Sequence, residues 1–205
     1  MDTPPTTAPR KRPRQERSAA TVDALLTATA QVLVKEGYDH ASTNKIARRA
    51  GVSIGSLYQY FPGKEALVLA LARRNGEEEI ALIRGALNRL GKAPLPETAR
   101  VLVQALIEVH RNDPELQKVF ITQVPQIGGL AIIRETNRQV AEMLRAYLSD
   151  LFPEADPESW DLRIFIAMHA VEGLIHQALL ERPEYLDQPR FVEELVALVV
   201  RYLVE

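Results

Sequence analysis

Apolar residues in this chain recur at helical spacing, and no segment shows the sustained apolar–polar alternation of a half-buried strand. Between Leu25 and Leu33 they follow the i, i+3, i+4, i+7, i+8 template of an amphipathic helix. This helix is expected to begin near Arg17 and to end at Gly37. The pattern predicts an all-α chain.

Two short helices are predicted next, joined by the turn sequence AGVS. Thr43 is the expected N-cap of the first, and Gly51 its C-terminal stop. Ser53 can cap the second, which is predicted to run through Phe61. Two short helices joined in this way are typical of a helix-turn-helix, whose second helix can enter a DNA major groove.

A fourth helix is expected to begin near Gly63 and to extend beyond the segment KEALVLALARR. Proline and glycine clusters then separate the remaining periodic segments. These segments are predicted to be helices over 97–112, 114–123, 129–151, 157–181 and 189–204.

The second short helix would have one apolar and one polar face. Leu57 and Phe61 lie four residues apart on the same side. The opposite side carries small and hydrogen-bonding residues with a tyrosine at each shoulder: Gly55, Ser56, Gln59, Tyr58 and Tyr60. Gln59 could pair with a base edge, adenine most naturally. Partial burial with the hydroxyl in water explains each tyrosine equally well.

Lys64 stands in the first turn of a predicted helix, where a positive charge opposes the helix dipole. A docked phosphate would interact with both the ammonium and the unpaired N–H groups, although a solvated lysine is the simpler interpretation. Residues 1–64 also contain ten Lys/Arg and five Asp/Glu, against 15 and 22 in the remainder. This polarity favours a polyanion partner at the N-terminal end, with a chance imbalance as the alternative.

Composition and missing motifs argue against a disulfide-bonded protein, a metalloprotein, a membrane protein and an enzyme. The 205 residues include no cysteine, so disulfides and thiolate metal sites are excluded, and we expect no metal and no cofactor. No apolar run approaches the roughly 20 residues that span a bilayer, so a soluble, cytoplasmic protein without membrane contact is expected. Because Gly-rich phosphate loops and G-x-S-x-G or H-E-x-x-H motifs are also missing, an enzyme is not expected.

Residues 43–67, TNKIARRAGVSIGSLYQYFPGKEAL, resemble the signature of the TetR (tetracycline-repressor-like) family of transcriptional regulators. The resemblance covers about a quarter of the chain. It implies about nine helices and a homodimer on a near-palindromic double-stranded operator. It also implies a C-terminal domain that senses a small molecule, expected to be apolar or amphipathic. Repression is the family's usual outcome; activation and an effector-independent architectural role stay open.

The resemblance also assigns DNA contacts residue by residue. Backbone contacts fall on Thr43, Tyr58, Tyr60 and Lys64, base contacts on Asn44, Ile54, Gly55 and Gln59, and Ser56 can serve either role. Lys45 and Ser53 complete the predicted surface. Gly63 replaces the Ser, Asn or Asp common before the lysine, which weakens the cap there. Four prolines and little apolar content predict a disordered basic arm over 1–14. It is followed by a DNA-binding domain (15–62) and an effector-binding and dimerisation domain (63–205).

The last two helices are apolar over more than one face, which favours burial against both their own core and a twofold partner over a single monomer core. The predicted dimer residues are Phe165, Met168, Glu172, Ile175, Leu179, Phe191, Leu195, Leu198, Val199 and Tyr202.

Polar and aromatic residues within apolar helices are the candidates for the effector site, although a structural role is the more common one for each. They are His110, Phe120, Gln123, Gln126, Arg134, Asn137, Trp160 and His169. Arg134 and Arg138 could meet an anion or be solvated. His169 and His176, seven residues apart, are too widely spaced for a metal site.

Overall fold

The computed structural model describes residues 16–156 and 158–204. These residues form nine α-helices and one short 3-10 helix and contain no strand, which confirms the predicted all-α fold. The predicted basic arm, 1–14, lies outside the described residues. The helices are α1 Glu16–His40, α2 Thr43–Ala50, α3 Ile54–Tyr60, α4 Lys64–Leu90, α5 Leu95–Asn112, α6 Pro114–Gln123, α7 Leu130–Leu151, α8 Ser159–Glu181 and α9 Pro189–Val204. The 3-10 helix, Pro183–Asp187, falls within a proline-rich stretch where the sequence predicted only a separator.

The chain divides into two compact units. The described part of the first comprises residues 16–75 and 115–132, and that of the second comprises 76–114, 133–156 and 158–204. The helix-turn-helix therefore shares its unit with the start of α4 and with α6, two segments that the sequence assigned to the other domain. The second unit contains α5, α8, α9 and most of α7.

Local chemistry sets the ends of the helix-turn-helix. Ser42, not Thr43, is the N-cap of α2: its hydroxyl accepts the Lys45 N–H at 3.4 Å, and Thr43 is the first helical residue. Gly51 ends α2 in the left-handed region, with φ of 68°, a conformation strained for residues that carry a Cβ. Ser53 caps α3, as predicted, by accepting the Ser56 N–H at 3.0 Å.

The core of the first unit fixes the orientation of α3. Leu57 and Phe61 have 0% and 1% of their surface exposed, and Leu25, Ile46 and Leu67 in the same unit are equally buried. α1 packs on α2, and α2 on α3. Because the apolar side of α3 is buried in this way, its opposite side lies at the surface.

In the second unit α5 packs on α8 and α9, and α8 on α9. By length and composition alone α8 could cross a membrane. Its side chains Ile164, Val171 and Ile175 are nevertheless buried in the unit. A core helix of a water-soluble protein meets the same criterion, so α8 does not indicate a membrane protein.

Candidate DNA-binding surface and ligand cavity

The polar side of α3 is exposed. Ile54, Gly55, Tyr58 and Gln59 lie on the surface, whereas Ser56 and Tyr60 are half-buried. Tyr58 has 41% of its surface exposed, so part of its ring is accessible to a partner. With the capping residue Ser53 also exposed, α3 presents small side chains in its first turn and two large hydrogen-bonding ones, Tyr58 and Gln59, in its second.

Hydroxyl pairs connect α3 to its neighbours. The Thr43 and Tyr58 hydroxyl oxygens lie 3.1 Å apart and join α2 to α3. Ser18 donates to the Tyr60 hydroxyl at 3.0 Å and joins α1 to α3. Both tyrosine rings are therefore held at the shoulders of the exposed face, where the sequence placed them.

The two lysines of the predicted surface have intramolecular partners. Lys64 donates to the Tyr38 carbonyl at 2.9 Å, and its ammonium lies 4.0 Å from the centroid of the Tyr38 ring. Lys45 forms an ion pair with Glu36, and this pair lowers the pKa of that carboxyl. Lys64 is thus neither a fully solvated side chain nor an isolated charge, and Lys45 would need to exchange partners to contact a phosphate. Asn44, which directly precedes Lys45 in the chain, is exposed.

The second unit contains a cavity of about 130 Å³. Helices α4, α5, α7, α8 and α9 contribute its walls, which are mainly apolar. The apolar lining residues are Ile83, Leu95, Ala99, Leu102, Val103, Leu106, Val140, Leu144, Leu148, Ile164, Ala167, Met168, Val171, Val199 and Leu203. The polar ones are Glu79, Thr98, Asn137, Tyr147 and Glu172.

Two carboxyl groups dominate the electrostatics of this cavity. Burial, reinforced by the charge of Glu172, raises the pKa of Glu79 to about 7. Burial also raises the pKa of Glu172, against a smaller opposing effect of His169. The Thr98 and Tyr147 hydroxyl oxygens lie 2.7 Å apart, and Tyr147 also donates to the Ala93 carbonyl at 3.1 Å.

Of the eight predicted effector residues, the structure places only Asn137 in the wall of this cavity. Phe120, Gln123 and Gln126 belong to the other unit, and Arg134 is exposed. The remaining three predicted residues, all in the second unit, occupy positions outside the lining: His110, Trp160 and His169.

Two of those three, His110 and Trp160, are buried in the protomer, and the third, His169, is at the surface. His110 is buried, bonded to the Leu106 carbonyl at 2.9 Å, with its ring centroid 5.0 Å from that of His176. Burial lowers the pKa of both imidazoles, that of His176 to about 4. Trp160 packs in a core cluster with Phe152. His169 is exposed.

Sequence reasoning missed Glu79 because it follows two other glutamates. Glu77 and Glu78 are exposed, so the run resembles a solvated stretch, whereas Glu79 is half-buried. The sequence does contain one signal, an apolar residue one helical turn after Glu79. This residue, Ile83, lines the same cavity. Glu172 was singled out, but for the dimer interface.

An exposed apolar surface spans α8 and α9; we call it the α8–α9 face. It comprises Leu162, Phe165, Ile166, Leu198 and Tyr202, with exposed fractions between 36% and 66%. A groove lined by Leu162, Leu198 and Tyr202 joins its two helices. Three predicted dimer residues belong to this face, namely Phe165, Leu198 and Tyr202.

Other predicted dimer residues point inwards. Ile175, Leu179 and Leu195 have at most 2% of their surface exposed within one protomer, so they cannot contact a partner. Met168, Glu172 and Val199 line the cavity, and Phe191 is half-buried beside Tyr185. The pattern assigned both faces of α8 and α9 to an interface because helical periodicity does not tell which apolar face meets the protomer's own core.

Comparison with known families now distinguishes between the possible roles. A family model for the bacterial regulatory proteins of the tetR family matches residues 25–71, and one for the tetracyclin repressor-like C-terminal domain matches 94–203, more than half of the chain. The chain belongs to the TetR family. It is therefore a transcriptional regulator with a DNA-binding helix-turn-helix and a ligand-responsive C-terminal domain, which confirms the resemblance noted in residues 43–67.

TetR-family relatives match over long stretches. An uncharacterised HTH-type transcriptional regulator of Mycobacterium tuberculosis (strain ATCC 25618 / H37Rv) is 27% identical over 185 residues, covering 90% of this chain and 87% of the relative. The transcriptional repressor KstR of Rhodococcus jostii is 38% identical over 141 residues, covering 68% and 63%. The transcriptional activator FasR of Mycolicibacterium smegmatis is 41% identical over 122 residues, covering 57% and 52%.

Solved TetR-family structures share the fold. A regulator from Streptomyces coelicolor has a TM-score of 0.67 at 25% identity, over 90% of this chain and 96% of that chain. The fatty acid degradation regulator FadR from Bacillus halodurans has a TM-score of 0.71 at 21% identity, over 92% and 96%. At that identity the second similarity concerns the fold alone.

Proposed function

We propose that the chain is a repressor that binds a near-palindromic operator as a homodimer and releases it when a small molecule occupies the cavity of the second unit. The observation that supports DNA binding is the exposed polar side of α3, opposite the buried Leu57. KstR is named a repressor and FasR an activator, and the match to KstR covers more of the chain.

Within this proposal the side chains divide by role. Gln59, Asn44, Ile54 and Gly55 face base edges, and Tyr58 anchors to the DNA backbone. The other backbone contacts come from positions at the rim of the exposed face, some of which exchange intramolecular bonds for phosphate: Thr43, Lys45, Ser53, Ser56, Tyr60 and Lys64. DNA binding resides in 15–62, and the cavity and the partner surface in 63–205.

The α8–α9 face is the surface on which we place the partner protomer. Leu162, Leu198 and Tyr202 line one groove between the two helices, and exposed apolar surface of this kind marks protein interfaces. Pairing α8 and α9 with their twofold copies gives a four-helix arrangement and two DNA-binding helices. In such a dimer the half-sites lie about 34 Å apart or a multiple of that distance.

Selection of bound fragments from random duplex DNA tests the proposal. A homodimer with one recognition helix per subunit yields sites with two inverted half-sites, and affinity falls steeply with added salt because phosphate contacts release counterions. Recovery of a single asymmetric half-site, or of no enriched sequence, would contradict it.

An effector-independent architectural role is the alternative. The apolar cavity with two carboxyl groups favours an effector, because a DNA anchor alone has no need of it. A ligand that shifts the melting temperature and weakens operator binding separates these roles.

A further inference from the structure

Three polar side chains in the cavity wall, Glu79, Glu172 and Asn137, have no hydrogen-bond or ion-pair partner among the described residues. The two remaining polar lining residues, Thr98 and Tyr147, bond to each other. Polar groups withdrawn from bulk water are normally paired, because a missing partner costs free energy. Glu79, Glu172 and Asn137 are therefore the groups with which a ligand can interact.

The charges in this wall have one sign. Glu79 and Glu172 are its ionisable acids, and no lysine, arginine or histidine occurs among the described lining residues. An ionised carboxyl accepts hydrogen bonds but donates none. The ligand group that would pair with these two carboxyls is therefore a positively charged hydrogen-bond donor. The rest of the wall is aliphatic and matches a hydrocarbon body.

We propose that the cavity binds an apolar molecule that carries one cationic amine, whose ammonium group donates hydrogen bonds to Glu79 and Glu172. This inference rests on the proposed function, in which this cavity is the effector site. Fatty acids and other anionic amphiphiles are disfavoured, since their charge would face two acids with no compensating cation. Neutral ligands gain the apolar contacts but leave the acids unpaired.

The raised pKa of Glu79 is consistent with this geometry. Burial and the neighbouring Glu172 disfavour its charged form when the cavity contains no cation. A bound ammonium group would offset both effects, so amine binding should be stronger than expected from apolar contact alone.

Three molecules with the same eight-carbon chain test the ligand class on the full-length protein: octylamine, octanol and octanoate, titrated by calorimetry at pH 7.5. Octylamine is expected to bind at least about tenfold more tightly than octanol, and octanoate most weakly. Octanol or octanoate binding as tightly as octylamine would overturn the inference, as would the absence of octylamine binding.

Variants then locate the amine. Glu79→Gln and Glu172→Gln keep the side-chain shape and remove the charge, so each should weaken octylamine about tenfold and leave octanol unchanged. Glu77→Gln, an exposed position on the same helix, is the matched control and should change neither. Unchanged octylamine affinity in both cavity variants would overturn the assignment, and the wild-type series decides the ligand class even if a variant fails to fold.

Duplex DNA binding by the same preparation separates this inference from the proposed function. A protein that binds a selected operator but prefers octanoate remains a regulator with another ligand class. A protein that binds no duplex overturns the proposed function, whereas the three titrations still determine which charge the cavity accepts.

Discussion

At the residue scale, Gln59 and Tyr58 lie side by side on α3 but are expected to contribute differently. Gln59 is exposed and has no hydrogen bond to another described residue, so its amide can donate to and accept from a base. Tyr58 is already bonded to Thr43, as a side chain positioned to meet the sugar–phosphate backbone would be.

Gln59→Ala should therefore relax preference at one base position in each half-site, at a cost of about 1–3 kcal/mol on the best sequence. Tyr58→Ala should weaken binding to all sequences to a similar degree. Fluorescence anisotropy with single-base operator variants measures both. Gln104→Ala, exposed on α5, is the control. Sequence preference unaltered in Gln59→Ala would disprove the assignment.

Glu79 predicts how stability depends on pH. Its pKa is about 7 in the folded chain against 4.5 for a solvated glutamate, so the folded state binds more protons between these values. Stability associated with this group is fully present below about pH 4.5 and is lost as the pH rises through about 7. Over this window it contributes about 3 kcal/mol to the free energy of unfolding.

Glu79→Gln should flatten this dependence and stabilise the protein above pH 7. The groups around the cavity that also titrate or carry charge are Glu172, whose pKa is raised as well, the adjacent His169 and the phenol of Tyr147. Urea unfolding at pH 5, 6, 7 and 8 compares wild type with Glu79→Gln and Glu77→Gln. Parallel pH profiles for wild type and Glu79→Gln would contradict the prediction.

At the element scale, two glycines in the helix-turn-helix are explained by different features: Gly51 by its backbone conformation and Gly55 by its exposed position on α3. Gly51 adopts φ of 68°, whereas Gly55 lies within α3 on its exposed side, with only the Ser53 hydroxyl, 3.8 Å away, near the position that a Cβ would occupy. Gly51 is thus required by the turn. Gly55 is not required by the fold, and in the proposed function it allows the close approach of DNA.

Gly51→Ala should destabilise the protein by about 1–2 kcal/mol, since it strains a left-handed residue. Gly55→Ala should leave stability equal or raise it by up to about 1 kcal/mol, yet weaken operator binding, because the methyl group stands between α3 and the groove. Thermal unfolding and anisotropy on both variants test this. Equal operator affinity in Gly55→Ala and wild type would show that α3 is not so close to the bases.

Sequence patterns predicted α2 to α4 and the buried side of α3 well, because caps, turn glycines and apolar spacing are local signals. They misassigned the cap of α2, where Ser42 and Thr43 are adjacent and chemically equivalent. They also missed the cavity wall, since five helices contribute to it and its lining depends on packing between residues far apart in the chain, such as Glu79 and Glu172.

At the scale of the whole molecule, the α8–α9 face predicts the oligomeric state. Its five side chains are exposed in one protomer, and a partner would remove them from water, which stabilises the dimer by roughly 25 cal/mol for each Å² buried. In the proposed dimer each subunit contacts one half-site, so we expect operator affinity to depend on this pairing.

Phe165→Glu combined with Leu198→Glu should convert the dimer to a monomer and reduce operator affinity by at least about a hundredfold. Sedimentation velocity measures the first effect and anisotropy the second. Leu130→Glu, at a position equally exposed but in the first unit, is the control. A wild-type chain that sediments as a monomer at micromolar concentration would contradict the proposed assembly.

The hydrogen bond between the Thr43 and Tyr58 hydroxyls also bears on the entropy of DNA binding. A phenol hydrogen-bonded at 3.1 Å to a neighbouring helix is restrained before any encounter. Less ordering remains for the moment of contact, so association should have a smaller entropic penalty than in Thr43→Val, which lacks this hydrogen bond.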